Sequence, residues 1–417
     1  MFYLGSYFGI SKANLVLEKI EGIEMTEEAK NHYMAEARFL RGLYYFNLVQ
    51  YFGGVPITTE VYDYNFESSL IPRSTATEVY DFVVADLEFA EAHLPLDSFE
   101  EGDLGTGRAS ASAASGLLAK VWLTRAGHPL NEGIPSFQKA KDYAQKVVDY
   151  GIYSLQDDYG KIFTSDNENN KEWLFSVQFG PLENDQGNWG GWHNTGDNVN
   201  YDQPYGSGYG RIALTEEMVD AWHDDDPRKD YIIVDLKGNG KVEKRKWKWK
   251  TRKFRFAEDN PAKNFSPVNA PVLRYADILL VLAEAENEIN GPTQLAMDMV
   301  NLVRERARKG IPSDNDSDNG PSLEPADITT ADFADAAEFR DAMIWERARE
   351  LCMEGLDRFD LVRSGKYMEL TESAAHLKSN GGDKKVLDPL PHFALLPLPS
   401  LAMRNNSALQ GDQNPGY

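Results

Sequence analysis

The residues best suited to chemistry lie between Gly187 and Gly210, in the stretch GNWGGWHNTGDNVNYDQPYGSGYG. Trp189, Trp192, Tyr201, Tyr205 and Tyr209 alternate there with six glycines between 187 and 208, and His193, Asn194 and Asp202 stand beside them. A sugar ring offers a C–H-rich face that packs on an aromatic plane and a hydroxyl perimeter that takes short polar partners. This segment supplies both residue types, so carbohydrate binding is one chemistry it can perform. The same rings would also make a small core in a stretch poor in aliphatic residues, or meet another ligand or a protein partner.

Other chemistries find less support. His193 is near Asp197 and Asp202, but the spacing matches no closed metal set, and no metal or cofactor is expected. Asp224, Asp225 and Asp226 in WHDDDPRKD lack the spaced ligands and glycine of a calcium loop and read as a charged helix end. No pair of carboxylates stands out for glycoside hydrolysis, and neither a phosphate-binding loop nor a serine elbow is present. Glu346, Arg347, Arg349 and Glu350, with Arg274, Glu284 and Glu286, have spacings that let them pair along helices or tie neighbouring elements. KRKWKWKTRKFRF, at 244 to 256, fits a polyanion surface or a half-buried strand with a solvated basic face. The chain carries 43 Lys and Arg against 66 Asp and Glu, a formal charge of -23, which opposes nonspecific attraction to nucleic acid or anionic lipid.

Helices must position these groups. PVLRYADILLVLAEAENEING, at 271 to 291, has an apolar helical face and is followed at once by a second amphipathic run from Pro292 to Arg308. So short a connection predicts an antiparallel hairpin with a shared apolar seam. Thr26 caps a predicted helix to about Tyr51, whose Tyr33, Ala37, Leu40, Tyr44 and Leu48 fall near helical spacing. Thr75 and Glu78 form a capping box for a helix through Ala92. SASAASGLLAKVWLTRAG and the run from Pro135 to Tyr150 make another pair, so the pattern is a degenerate helical repeat with insertions.

Residues 151 to 214 change to Gly, Asn, Asp and aromatics, with a strand candidate at Trp173 to Gln178. Gly238, Asn239 and Gly240 suit a hairpin turn. Asp314 to Asp335 reads as an acidic, solvated loop, Phe339 to Leu356 as a helix, and the tail from Leu387, with Pro391, Pro397 and Pro399, as an extended closing segment. With 42% hydrophobic and 12% aromatic residues over 417 positions, the chain is globular. Cys352, the single cysteine, reads as a buried structural thiol in ARELCMEGL. No apolar run reaches the length of a membrane span, and no secretory signal opens the chain.

Several segments together resemble the SusD/RagB family of outer-membrane nutrient-binding lipoproteins. They are AEARFLRGLYYFNLVQYFGGVP at 35 to 56, GRASASAASGLLAKVWLTRAG at 107 to 127, LRYADILLVLAEAENEING at 273 to 291 with NLVRERARKG after it, WERARELCMEGLDRFDLVRSG at 345 to 365, LLPLPS at 395 to 400 and QNPGY at 413 to 417. The resemblance implies a mostly α fold, in which tetratricopeptide-like helical pairs carry an irregular, loop-rich lobe and short β ribbons. It divides the chain into an N-terminal helical scaffold at 1–150, a ligand-binding lobe at 151–270, and C-terminal helical pairs, acidic loop and closing tail at 271–417 that pack with the first part. It also implies noncatalytic capture of oligosaccharide, or in some members peptide, for a TonB-dependent, SusC-like transporter partner. Such proteins begin with an acylated cysteine upstream of the region resembling Phe2 to Gly22. Membrane attachment is therefore expected through an N-terminal lipid anchor outside this sequence, which Cys352 cannot replace. A peptide-binding member of the same scaffold, and a glycoside hydrolase, are the alternatives.

Overall fold

Short polar side chains start the helices. Thr26 Oγ1 accepts from the Ala29 N–H at 3.2 Å, and Thr75 and Glu78 close a reciprocal capping box. Ser110, Thr293 and Asp335 cap three more. Gly53 and Gly291, at φ 70° and 80°, end two helices in backbone that favours glycine.

The structure is a computed structural model. It describes residues 2–61, 71–97, 106–179, 214, 216–235, 249–251, 253–254, 268–314, 319–374 and 391–417. Its helices are α1 (Phe2–Lys19), α2 (Glu27–Phe52), α3 (Ala76–His93), α4 (Ala111–Ala126), α5 (Ile134–Asp149), α6 (Glu216–Asp220), α7 (Pro227–Ile232), α8 (Tyr275–Asn290), α9 (Gln294–Arg308), α10 (Ala336–Glu350), α11 (Asp357–Arg363), α12 (Tyr367–Ala374) and α13 (Ser400–Asn405). The strands are β1 (Trp173–Val177), β2 (Ile233–Asp235), β3 (Trp249–Thr251) and β4 (Ala270–Arg274). The fold is mostly α, with packed helical pairs and two antiparallel ribbons, β1 with β4 and β2 with β3.

One compact unit holds residues 1–147, 362–368 and 389–417. In it α1 packs on α2, α2 on α3 and α3 on α4. Arg41 of α2 holds both oxygens of Asp86 on α3, at 2.7 and 2.8 Å, and donates to Asn14 Oδ1 on α1 at 2.8 Å. The small residues from Ala111 to Ala119 are buried along α4, as close helix contact requires. The tail closes this unit. Leu396 N–H donates to Tyr51 O at 2.7 Å, and Arg73 donates to Gly54 O, Phe52 O, Asp412 O and Asn414 Oδ1.

The stripe on α2 departs from a simple core face. Phe39, Tyr45 and Phe46 are buried, and the latter two rings meet Phe82 and Tyr80 of α3. Tyr33 and Leu40 are 41% and 38% exposed. Helix α2 buries the face it turns to α3, which leaves the Tyr33 to Leu40 edge beside α1 in contact with solvent.

The other unit holds residues 148–361 and 369–388. Leu279, Leu280 and Ala283 of α8 share a core with Met297, Val300 and Val303 of α9 and with Phe339 and Met343 of α10. This is the seam expected of the hairpin. A second core gathers Tyr159, Phe163, Trp173, Trp222, Tyr231 and Phe254 under the ribbons. Ile233 pairs with Thr251 and Asp235 with Trp249, the pairing a hairpin gives, although the Gly-Asn-Gly turn itself lies outside the described residues.

Candidate functional site

Trp189, Trp192, His193, Asn194, Tyr201, Asp202, Tyr205 and Tyr209 all lie outside the described residues. The structure instead defines the ground from which their segment leaves. Residue 180 follows β1, where the Phe179 N–H donates to the buried Asn269 Oδ1 at 2.7 Å. Asn269 Nδ2 donates to Gln178 Oε1 at 2.9 Å, and Gln178 and Asn169 exchange two amide hydrogen bonds, each 2.9 Å. Asn269 N–H donates to Glu168 Oε1 at 2.6 Å. Burial pushes the Glu168 carboxyl up to about 7, against the pull of that N–H.

Beneath the ribbons lies a buried ionic network. Glu172 precedes β1, Arg274 ends β4, Asp226 and Arg228 start α7 ahead of β2, and Lys253 follows β3 by two residues. Arg274 donates to Glu172 at 2.6 Å, to Glu350 at 3.1 Å and to both oxygens of Glu354 at 2.8 Å. Arg306 bonds Glu172 at 2.9 Å and also reaches Glu350. Arg228 holds Asp226 at 2.8 Å, Glu346 at 3.2 Å and Glu350 at 3.0 Å. Lys253 Nζ donates to Glu354 Oε1 at 2.7 Å and to Cys352 O at 2.8 Å, and lies 4.2 Å from the Phe163 ring centroid. Arg228, Lys253, Arg274 and Arg306 are thereby tied to Glu346 and Glu350 on α10 or to Glu354 just beyond it, and Glu172 joins them through Arg274 and Arg306.

Charge balance decides how these groups ionise. Burial alone would raise the Glu350 carboxyl, but Arg306, Arg274, Arg228 and Lys253 outweigh it and hold it at about 2. Burial would likewise raise Glu346, which Arg349, Arg228 and Arg304 hold far below the usual range. Burial lowers the Lys253 ammonium, against the pull of Glu354. A buried ion pair is weak evidence for stability, because desolvation offsets the attraction, but removing one partner strands a charge. The network specifies one geometry for the strand roots.

The reading of the charged residues as structural ties therefore holds for Arg274, Glu346, Arg347, Arg349 and Glu350. Arg347 bonds Asp277 at 2.8 Å and Asp360 at 2.9 Å, and Glu286 accepts from Thr293 and Asn290. Asp226 caps α7 and Asp224 pairs with Lys229 at 2.6 Å, as a charged helix end does. Lys253 lies in the run read as a polyanion surface or a solvated basic face, and the structure corrects this for that residue, which is buried against Glu354. Sequence spacing does not single out Glu172, Arg228 and Arg306; the signal for Glu172 is a charge beside a predicted strand, in KEWLFSV.

None of this is catalytic machinery. The network carboxylates are bound by guanidinium or ammonium groups and sealed from solvent, so they cannot reach a substrate. Burial pushes the Cys352 thiol far up and keeps it unreactive. Among the described residues no cluster of His, Cys, Asp and Glu could hold a metal, and no helix is long and apolar enough to cross a membrane.

The described residues form a helical scaffold whose buried charges are neutralised by one another. Comparison with known proteins gives its kind. The SusD family pattern matches residues 229–417, and a second pattern, described as starch-binding and associating with the outer membrane, matches residues 1–123. The chain belongs to the SusD/RagB family of noncatalytic, outer-membrane glycan-binding proteins. It is 27% identical to SusD-like protein P2 of Formosa agariphila, over 100% of this chain and 80% of that one. Its fold matches a SusD homolog of Bacteroides thetaiotaomicron with a TM-score of 0.81 at 26% identity, covering 100% of this chain and 85% of that one. A laminarin-binding SusD-like protein matches with a TM-score of 0.74 at 26% identity and the same coverage.

Proposed function

We propose that this chain captures neutral oligosaccharide or polysaccharide fragments at the outer face of the outer membrane and delivers them to a SusC-like, TonB-dependent transporter. In this reading Trp189, Trp192, Tyr201, Tyr205 and Tyr209 stack on sugar rings, while His193, Asn194 and Asp202 bond hydroxyls. Residues 151–270 carry the ligand, 1–150 and 271–417 form the scaffold, and an N-terminal lipid anchor in the full-length product holds the protein to the membrane.

The observation that supports the reading is the match to SusD family patterns over residues 229–417 and 1–123, beside the laminarin-binding relative. The laminarin-binding relative points to neutral β-glucan as the first class to try, and the charge of -23 disfavours sulfated or uronate-rich polymers. A glycan-array screen that includes laminarin, followed by calorimetry, tests the proposal. Saturable binding to neutral glycans is expected, and binding to peptides with no glycan bound would overturn it.

A further inference from the structure

Residues 154 to 167 enclose an open polar cleft of about 540 Å³, and every wall of it belongs to the unit of residues 148–361. The volume falls in the range of small-ligand sites, about 300 to 1,000 Å³. The loop that makes it is fastened from below. Tyr159, Ile162 and Phe163 are fully buried in the core under the ribbons, and the Gln156 N–H donates to the buried Glu172 Oε2 at 2.8 Å. Asp158 accepts from the Gly160 N–H at 2.8 Å and from the Ser313 N–H at 2.9 Å. Lys309, just after α9, reaches Asp157 at 2.8 Å. Leu155 is the one apolar side chain on the walls, so the loop spends its apolar groups on the core and its polar ones on the cleft.

Two pairs on these walls set a donor beside an acceptor. Lys161 Nζ meets Asp166 Oδ2 at 2.8 Å, with the side chains 41% and 63% exposed. Asn167 Nδ2 donates to Gln156 Oε1 at 3.3 Å and to Lys161 O at 3.0 Å. The Gln156 amide nitrogen and the Ser154 hydroxyl line the cleft and make no hydrogen bond among the described residues. Lys161 and Lys309 hold the Asp166 and Asp157 carboxyls below their usual range, so both are acceptors at neutral pH. Asp157, Asp158 and Asp166 outnumber the two lysines, which disfavours an anion. Among the described residues no three acidic groups are placed to share a metal ion, which disfavours a cation.

Neighbouring sugar hydroxyls each give one hydrogen bond and take others, so they need donors fixed beside acceptors. A cleft without an aromatic plane suits the hydroxyl edge of a sugar, not its C–H face. We propose that this cleft is a second carbohydrate site, which takes the vicinal hydroxyls of one unit of a neutral glycan. Lys161 and Gln156 donate to hydroxyl oxygens, Asp166 accepts hydroxyl protons, and the Ser154 hydroxyl does either. This role rests on the protein's being a neutral-glycan binder and is independent of the aromatic segment as the place of capture. The walls are fixed before the sugar arrives, which lowers the ordering cost of binding. Each hydroxyl still trades a water contact for a protein contact, so the affinity for a short sugar is millimolar.

Titration of the nitrogen-15-labelled chain with laminaribiose and with maltose, each to about 50 mM, tests this by NMR. The side-chain amide signals of Gln156 and Asn167, assigned by their loss in Gln156→Ala and Asn167→Ala, should shift saturably. Lys161→Ala should weaken binding at these signals about tenfold. Lys161 reaches solvent and its side chain pairs with exposed Asp166, so an unchanged melting temperature separates this from misfolding. A Trp189→Ala, Trp192→Ala double variant should keep the shift. No shift at either amide with either sugar, a shift that Lys161→Ala leaves unchanged, or a shift lost in the double Trp variant would each overturn the second site. Laminarin binding by calorimetry in the same sample would then leave the capture reading standing, whereas a wild type that binds neither the disaccharides nor laminarin would overturn both.

Discussion

Arg274 and Glu350 meet at 3.1 Å with both side chains almost wholly sealed from solvent. One closes β4 and the other closes α10, so this contact joins the β1–β4 ribbon to that helix. Glu350 also holds Arg228 and Arg306.

Glu350→Gln should therefore take one buried carboxylate partner from each of three guanidinium groups, which keep Glu172, Glu354, Asp226 and Glu346. A loss of about 3 kcal/mol is expected, because the charge balance of a buried network is broken. Urea unfolding should show a lower midpoint with an unchanged slope. A loss below about 1 kcal/mol would mean that the network relaxes around the gap.

Stability should depend on pH with two limbs of opposite sign. Glu168 is raised to about 7, so the fold favours its neutral form; that contribution is complete below about pH 4.5 and is lost as pH rises through 7. Glu350 is lowered to about 2, so its contribution is present above 4.5 and is lost as pH falls toward 2. Glu168→Gln should abolish the decline between pH 4.5 and 7 and leave the acid limb intact in thermal melts. Because Glu168 is only half-buried, solvent screening keeps its limb shallow.

Much of this architecture was legible from local chemistry. Thr26 and the Thr75 and Glu78 box could be read because a cap needs only neighbours within four residues. The α8 and α9 hairpin followed from its period and short turn. The ionic network was legible only in pieces, since Arg228 meets Glu346 and Glu350 across more than a hundred residues of sequence. The helical spacing of Tyr33, Ala37, Leu40, Tyr44 and Leu48 was legible, but period alone does not tell that Tyr33 and Leu40 are exposed. The aromatic candidates came from residue chemistry, which carries type without position.

Arg73→Ala should release the closing tail. Arg73 makes four of the hydrogen bonds that join the end of α2 to residues 412 and 414. Amide exchange should quicken across 391–417 while α3 and α4 stay protected, at a cost of about 1 to 3 kcal/mol. Uniform quickening across that unit would show that the tail is part of its core.

Cys352 should resist thiol reagents in the native protein and react readily in denaturant. Burial raises its pKa and blocks access. The native rate should be at least about a hundredfold slower. Comparable rates would place the thiol at a surface.

The most direct measurement is a calorimetric titration with laminarin and with any neutral glycan found on the array, in the wild type and in Trp189→Ala and Trp192→Ala, with reducing ends assayed in the same mixtures. The account predicts saturable binding, no new reducing ends, and a loss of about tenfold in affinity for each variant at unchanged melting temperature. New reducing ends, or equal affinity in both folded variants, would contradict it.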